Sequence, residues 1–519
     1  MEEIEKLQFQ VISSLFISEE NELNLKRRAQ SKIIEIAKEM GIMELGYYDI
    51  TRSNGYIFSE ILRRLNLTIA RYLDSLNILN VQKFCISIAN VLSYCSFAIY
   101  EPNIISKYLS DITSKYLVDG INFLSQISGE DLKGVEVQEK IGMLKEAVNL
   151  IYFETQNKDS NKEIQSEVTA YKIMNLLELE IAVISIFELN KSLKLDNNII
   201  RLEKEFSSVY SEKLKGINKV LQKMSTVKEP LYGEDADYVM ALFKKAKGFN
   251  DESLYSLCDE FKNDETLSLN INDMRSLIQR QLGLTDRQLE YFISIMFLDY
   301  TNKKYDEVIK NVNCSLFTTP FIVDVEGMIW LNKLTLLEAA NYVRRRVINE
   351  DILLPRNLKR IIKEKINKKS LSIIKEELES QGVKCFINVD LAKDDVLKEL
   401  FHGTKNTPHE LDLYYVENEV LKIYDLKNYL IPLSVKDSVV RIGNSINKET
   451  SKLHNLNKIL ESKHDLIEER LKLHFNSIEY GILLTTDCYY SDKSNDVSVI
   501  FVDDFLEMLR KSKKIIEKE

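Results

Sequence analysis

Residues Glu410–Asn428 read ELDLYYVENEVLKIYDLKN. Two short β-runs, Leu411 to Val416 and Val420 to Lys427, flank a polar turn at Asn418-Glu419, the signature of a hairpin. A tight turn there sets Asp412 opposite Asp425 and Glu410 opposite Lys427. Directly opposed strand residues have Cβ atoms about 5 Å apart, so two facing carboxylates repel unless a cation lies between them. Lys427 is two residues beyond Asp425 and therefore shares its face of the strand.

A carboxylate pair with a lysine beside it is suited to phosphodiester hydrolysis. Asp412, Asp425 and the Leu426 carbonyl offer hard oxygen ligands to Mg²⁺ or Mn²⁺, which polarises a phosphate and lowers the pKa of a bound water. Lys427 is then placed to hold that water or to stabilise charge on the phosphorane oxygens. The runs Glu410-Leu411-Asp412 and Asp425-Leu426-Lys427 resemble the motifs of the PD-(D/E)xK nuclease superfamily, and the resemblance implies a restriction-endonuclease-like fold. His409 stands where the nearest subgroup has glycine, and Asp425 where glutamate is commoner.

The order of elements around the motif carries the same resemblance. From Asn357 the pattern predicts a helix to Gln381, a strand over Val383–Val389, the two motif strands and a long helix over Val435–Phe475. Strands over Tyr480–Cys488 and Val497–Val502 follow, then a terminal helix opened by Asp503-Asp504. That is the superfamily's α-β-β-β-α-β order with an extra strand and helix, and it covers residues 356–519, roughly the last third of the chain. Relatives often carry a glutamate about three turns before the glycine that ends the first core helix. Here the corresponding residues are Ser370, Leu371 and Ser372, so Glu376 and Glu377, nearer the helix end, are the acids left to serve. A purely structural reading of the motif makes Glu410 and Lys427 a cross-strand ion pair and leaves both aspartates facing water.

A chain of 519 residues, 45% hydrophobic, has room for two to four domains with sizeable cores. Cysteines at 85, 95, 258, 314, 385 and 488 have no paired short spacing and read as reduced thiols of a cytoplasmic protein. The N-terminal Met-Glu-Glu-Ile-Glu-Lys lacks the features of an export signal. The longest uncharged run, Phe84–Tyr100, is too short for a membrane span and reads as a buried helix.

The net charge of −10 is carried entirely by residues 1–354, because residues 355–519 hold 28 basic and 28 acidic side chains. Between Arg344 and Lys369 ten basic residues stand against three acids. Arg344, Arg345, Arg346, Lys359, Arg360 and Lys363 in that block are candidates for phosphate-backbone contacts, the alternative being a solvated helix face. All five histidines fall at or after residue 402, and those at 454, 464 and 474 are spaced so that their rings do not converge on one ion. His402 and His409 precede the first motif strand and could line its mouth; solvated loop positions are the simpler reading.

Residues 1–310 show helical periodicity throughout, as in Ile57-Phe58-Ile61-Leu62-Leu65, and predict an all-α bundle or irregular solenoid. Breaks are expected at 41–55, 129–134, 157–161 and 228–233. Residues 311–355 connect the two regions through a hairpin turning at Glu326-Gly327 and a helix with the arginine triplet. The chain therefore reads as multidomain, α followed by α/β. Its first functional reading is a Mg²⁺-dependent nuclease acting on DNA, with a helical part that senses or binds a partner or a second copy, a layout resembling bacterial defence effectors. The other is a helical interaction scaffold whose nuclease-like domain is inactive and only binds nucleic acid or protein.

Overall fold

The computed structural model describes residues 19–40, 50–100, 135–156, 166–193, 233–261, 266–300, 314–348, 352–362, 368–401, 408–427, 443–485 and 497–516, with a few single positions besides. Two compact units partition the chain: 1–225 with 244–344, and 226–243 with 345–519. Among the described residues no helix is long and apolar enough to cross a membrane.

The first unit is helical at its start: α1 (Glu19–Glu39), α2 (Ile50–Leu73), α3 (Ile78–Tyr100), α4 (Val135–Thr155) and α5 (Ala170–Leu193). Helices α1 and α2 pack on α5, and α3 packs on α4. Ile61, Leu65, Leu177, Ile181 and Ile184 are buried at the spacing that predicted these helices. Helix α6 (Gly233–Lys247) spans the division between units, and α7 (Asp251–Ser256) follows it.

The expectation of helices alone through residue 310 is corrected here. Strand β1 (Thr266–Asn270), helices α8 (Ile271–Leu282) and α9 (Asp286–Met296) and strand β2 (Phe297–Leu298) precede the hairpin of β3 (Phe321–Val323) and β4 (Met328–Asn332). The four strands form one sheet in the order β1-β4-β3-β2. The hairpin thus belongs to the first unit rather than to a separate connector, because β4 pairs with β1 along its whole length. Five residues running straight into the cap of α8 at Asn270 are too few to show a strand period, so the sequence pattern does not reveal β1. Gly327, with φ +77°, makes the turn, and the Asp324 carboxylate accepts the N–H groups of Glu326 and Met328.

The uncharged run in α3 meets this hairpin and the helix after it, α10 (Lys333–Ile348). Asn90 accepts the Leu334 N–H, Asn332 donates to the Ile86 carbonyl, and Ser93 donates to Glu338, which is ion-paired to Lys145 at 2.5 Å. The polar residues of the run therefore satisfy the start of a buried helix and one half-buried charge.

The second unit holds α11 (Arg356–Ile362), α12 (Lys368–Ser380), β5 (Cys385–Asp390), β6 (Glu410–Glu417), β7 (Val420–Lys427), α13 (Gly443–Ser462), α14 (His464–Leu471), β8 (Ser477–Leu484), β9 (Ser498–Phe501) and α15 (Val502–Ile516). The sheet runs β5-β6-β7-β8-β9, antiparallel through β7 and parallel from β7 to β9. Two cores flank it. Leu371, Ile374 and Leu378 of α12 and Phe505, Leu506 and Leu509 of α15 pack on one face with Leu413, Tyr415 and Tyr424. Ile446, Leu453, Leu456 and Leu460 of α13 cover the other face with Tyr414, Leu421, Ile423 and Ile482.

The predicted motif hairpin forms in the predicted register, with Leu413 paired to Tyr424 and Val416 to Leu421. Asn418 and Glu419 both take positive φ, as a two-residue turn between twisted strands requires. Glu419 is held there by Asn476, whose N–H donates to the Glu419 carbonyl at 2.7 Å. Gly481 of β8 fits a tighter demand: a Cβ there would lie 2.4 Å from the Tyr424 ring. Of the helix expected over 357–381 the described part includes α11 and α12, and of the one expected over 435–475 it is α13 and α14.

Candidate active site

The β6–β7 ladder stops one rung short of the aspartates. Pairs run from Glu417–Val420 to Leu413–Tyr424, and the next rung, Asp412 and Asp425, is absent from the ladder. Instead the Leu426 N–H donates to Asp412 Oδ2 at 2.8 Å, so a side chain replaces the backbone acceptor. The same rung is irregular on the other side. Asn388 of β5 stands opposite Asp412 with φ +52°, between the intact pairs Ile387–Leu413 and Val389–Leu411. Ile387 and Leu413 join the α12 face, whereas Val389 and Leu411 join the α13 face, although residues two apart on a regular strand share a face. The left-handed turn at Asn388 is where β5 changes sides.

Asp412, Asp425 and Lys427 have the strand parity of Tyr414, Ile423 and Ile482, on the side covered by α13. Lys427 Nζ lies 2.9 Å from Asp425 Oδ1 and 2.8 Å from Oδ2. It also lies 3.4 Å from Glu449 Oε2 of α13, and Glu449 in turn is ion-paired with Lys452 at 2.7 Å. Burial, then the charge of Asp425, pushes the Asp412 carboxyl up to about 7 against the pull of the Leu426 N–H and Lys427. Burial works to lower the Lys427 ammonium, but the carboxylates of Asp425, Glu449 and Asp412 raise it overall. Burial likewise works to raise Glu449, and Lys452 and Lys427 outweigh it and hold that carboxyl low.

The other sequence candidates lie elsewhere. Lys427 pairs with Asp425 and Glu449 rather than with Glu410, which is exposed and registers with Asp390 on β5. His409 Nδ1 is 2.9 Å from Asp390 Oδ1, and its ring meets the edge of Phe401. Glu376 is exposed on α12, and Glu377 pairs with Arg510 of α15 at 3.2 Å. Both belong to the face opposite the aspartates, so α12 supplies no acid to this cluster. His464 contacts the Phe475 carbonyl and His474 contacts Glu468. His402 and Lys363 lie outside the described residues, as does the side chain of Arg345.

The basic block is divided. Arg344 pairs with Asp251 at 3.1 Å in the first unit, and Arg346 is buried. In the second unit Lys365 and Lys369 both pair with Asp235, while Lys359 is half-buried and Arg360 exposed. A continuous basic stripe in sequence therefore becomes several separate roles.

Glu449 is the residue that sequence reasoning missed. Its signal was present: it lies three residues after Ile446 and four before Leu453, an acid within the apolar stripe of an amphipathic helix. Among the described residues no three His, Cys, Asp or Glu side chains are arranged to hold a metal ion. The donors that do meet here are carboxylate oxygens, the class that Mg²⁺ and Mn²⁺ prefer. The penalty of burying Asp412 beside Asp425 is one that a cation relieves, so the donor chemistry fits such an ion. No family model, curated protein or solved structure matches this chain.

Proposed function

We propose that the chain is a Mg²⁺- or Mn²⁺-dependent nuclease that hydrolyses phosphodiester bonds of DNA through a PD-(D/E)xK-type site in a restriction-endonuclease-like second unit. The observation that carries the reading is the convergence of Asp412, Asp425 and Lys427 on one face of the sheet, at a rung where the ladder opens. The mixed sheet, with antiparallel motif strands followed by parallel β8 and β9, supports it as well.

Asp412 and Asp425 would hold the ion, which when bound supplies charge to polarise the phosphate and acidify water. Asp412 is oriented for this by the Leu426 N–H, which fixes one of its oxygens. That N–H assigns Leu426 a backbone role in aiming the carboxylate, beside the ligand role expected of its carbonyl. Lys427 carries an ammonium that is no ligand for such an ion, and it serves to hold the attacking water or to neutralise charge on the phosphorane. The first unit, on this reading, senses a trigger or binds a partner, as in bacterial defence effectors.

The second reading, an inactive nuclease-like domain on a helical scaffold, is favoured by one observation: α12 brings no acid to the cluster. One experiment separates the two. Purified chain is incubated with plasmid, linear and single-stranded DNA and with RNA, with Mg²⁺ or Mn²⁺, beside an Asp425→Ala control. Cleavage lost in the control supports the nuclease; binding without cleavage of any substrate supports the scaffold; cleavage at the unsubstituted rate in the control refutes the site.

A further inference from the structure

We infer that Glu449 is a positioning residue that retains the Lys427 ammonium at the site when a divalent cation takes the oxygens of Asp425, an inference that rests on the nuclease reading. Both Asp425 oxygens are engaged by Lys427, at 2.9 and 2.8 Å. An ion bound by Asp425 competes with that ammonium for the carboxylate's lone pairs and repels its charge, and a lysine stem with four rotatable bonds would otherwise swing toward solvent. Glu449 Oε2, 3.4 Å from Nζ, is the carboxylate placed to keep it.

Three features fit Glu449 to this role rather than to that of a ligand. Lys452 Nζ spans both of its oxygens, at 2.7 Å to Oε1 and 3.0 Å to Oε2, so the carboxylate is already oriented and neutralised from its own helix. Its stem rises between Ile446 and Leu453 on the packed side of α13, and its side chain is only 14% exposed. Burying a carboxylate there costs solvation, and the two ammonium groups offset it. Finally, 3.4 Å is longer than a tight charge-assisted bond, which leaves room for the Lys427–Glu449 contact to shorten once Asp425 is given up.

The test uses the full chain and Glu449→Gln, which keeps the size of the side chain and its packing but removes its charge; Lys452→Ala is the companion that loosens Glu449 from the far side. Reductive methylation with formaldehyde and cyanoborohydride, read by mass spectrometry on the peptide containing Lys427, is run with and without Mn²⁺. Mn²⁺ binding is followed by electron paramagnetic resonance. Lys427 should stay protected in the unsubstituted chain with Mn²⁺ and become several-fold more reactive in Glu449→Gln, with Lys452→Ala between them. Mn²⁺ affinity should be unchanged in Glu449→Gln, while kcat falls roughly 10- to 100-fold with KM for DNA unchanged, as for partners that orient catalytic groups. Glu449→Asp should restore part of the rate. Equal Lys427 reactivity in the presence of Mn²⁺ overturns the inference. So does a tenfold loss of Mn²⁺ affinity, which would make Glu449 a ligand, and so does failure of the unsubstituted chain to bind Mn²⁺. If the chain binds Mn²⁺ yet cleaves nothing, the nuclease reading fails by itself, and the methylation result still decides the placement of Lys427.

Discussion

Replacing Asp412 by Asn should stabilise the metal-free second unit, and more so at high pH. The Asp412 carboxyl is raised from the ordinary value of 3.8 to about 7 by burial and by Asp425. Since the folded value lies above the unfolded one, ionised Asp412 opposes folding: the penalty is absent below about pH 4, grows between 4 and 7, and is complete above 7. A rise of that size corresponds to about 4 kcal/mol when Asp412 is fully ionised, and because relaxation around the carboxylate relieves part of it, about 2 kcal/mol is what the substitution recovers. Asn keeps an oxygen to accept the Leu426 N–H, so the strand contact survives. Hydrogen exchange of the Val420–Lys427 amides with EDTA present, corrected for intrinsic rates, measures the opening of this sheet. The advantage of Asp412→Asn should be under about 1 kcal/mol at pH 5 and about 2 kcal/mol at pH 8. Added Mg²⁺ should narrow it by stabilising the unsubstituted chain. A variant less protected than the original at pH 8, or an advantage that does not change with pH, would refute the reasoning.

Three other outcomes are expected, two from the nuclease reading and one from packing. Asp425→Ala should reduce Mg²⁺-dependent cleavage of plasmid at least about 100-fold, whereas Lys427→Ala should lower the rate with Mn²⁺ affinity largely retained, because an ammonium is not a ligand. Gly481→Ala should destabilise the second unit by about 1–3 kcal/mol, since the new methyl group meets the Tyr424 ring, which is packed against Phe505. Urea-dependent hydrogen exchange in β8 checks this, and a neutral result would show that the ring yields freely. Reversing Lys359 and Arg360 to Glu should weaken DNA binding and lower its salt slope by about one per lost phosphate contact, while Arg344→Glu should act through lost pairing with Asp251. Identical binding across a salt series for the Lys359 and Arg360 reversals would leave those side chains a structural role alone.

The site was legible where local rules decide the geometry and illegible where a distant element does. A two-residue polar turn with alternating apolar residues fixes a hairpin register, so the alignment of Asp412 with Asp425 followed from the sequence. What the register implied for Glu410 and Lys427 did not follow, because the ladder ends before that rung once Asp412 takes the Leu426 N–H. The short strands β1 and β2 were hidden for a related reason: their pairing energy comes from partners 24 to 66 residues away, and their own length carries no period. The search for a third acid failed on topology. The acid was expected on α12 because members of the superfamily that the motif resembles carry one there, but α12 covers the face opposite the aspartates, and the acid facing Lys427 comes from α13. A physical criterion points to it directly: Glu449 is set between Ile446 and Leu453 on a helix whose packed stripe continues through Leu456 and Leu460. A charge retained at such a position needs a partner across the interface, and the strand pair beneath it offers Lys427. The same logic explains why the basic block scattered. Helices α10 to α12 each bury one side, so consecutive arginines must face different surroundings, with Arg346 inside and Arg344 turned to Asp251.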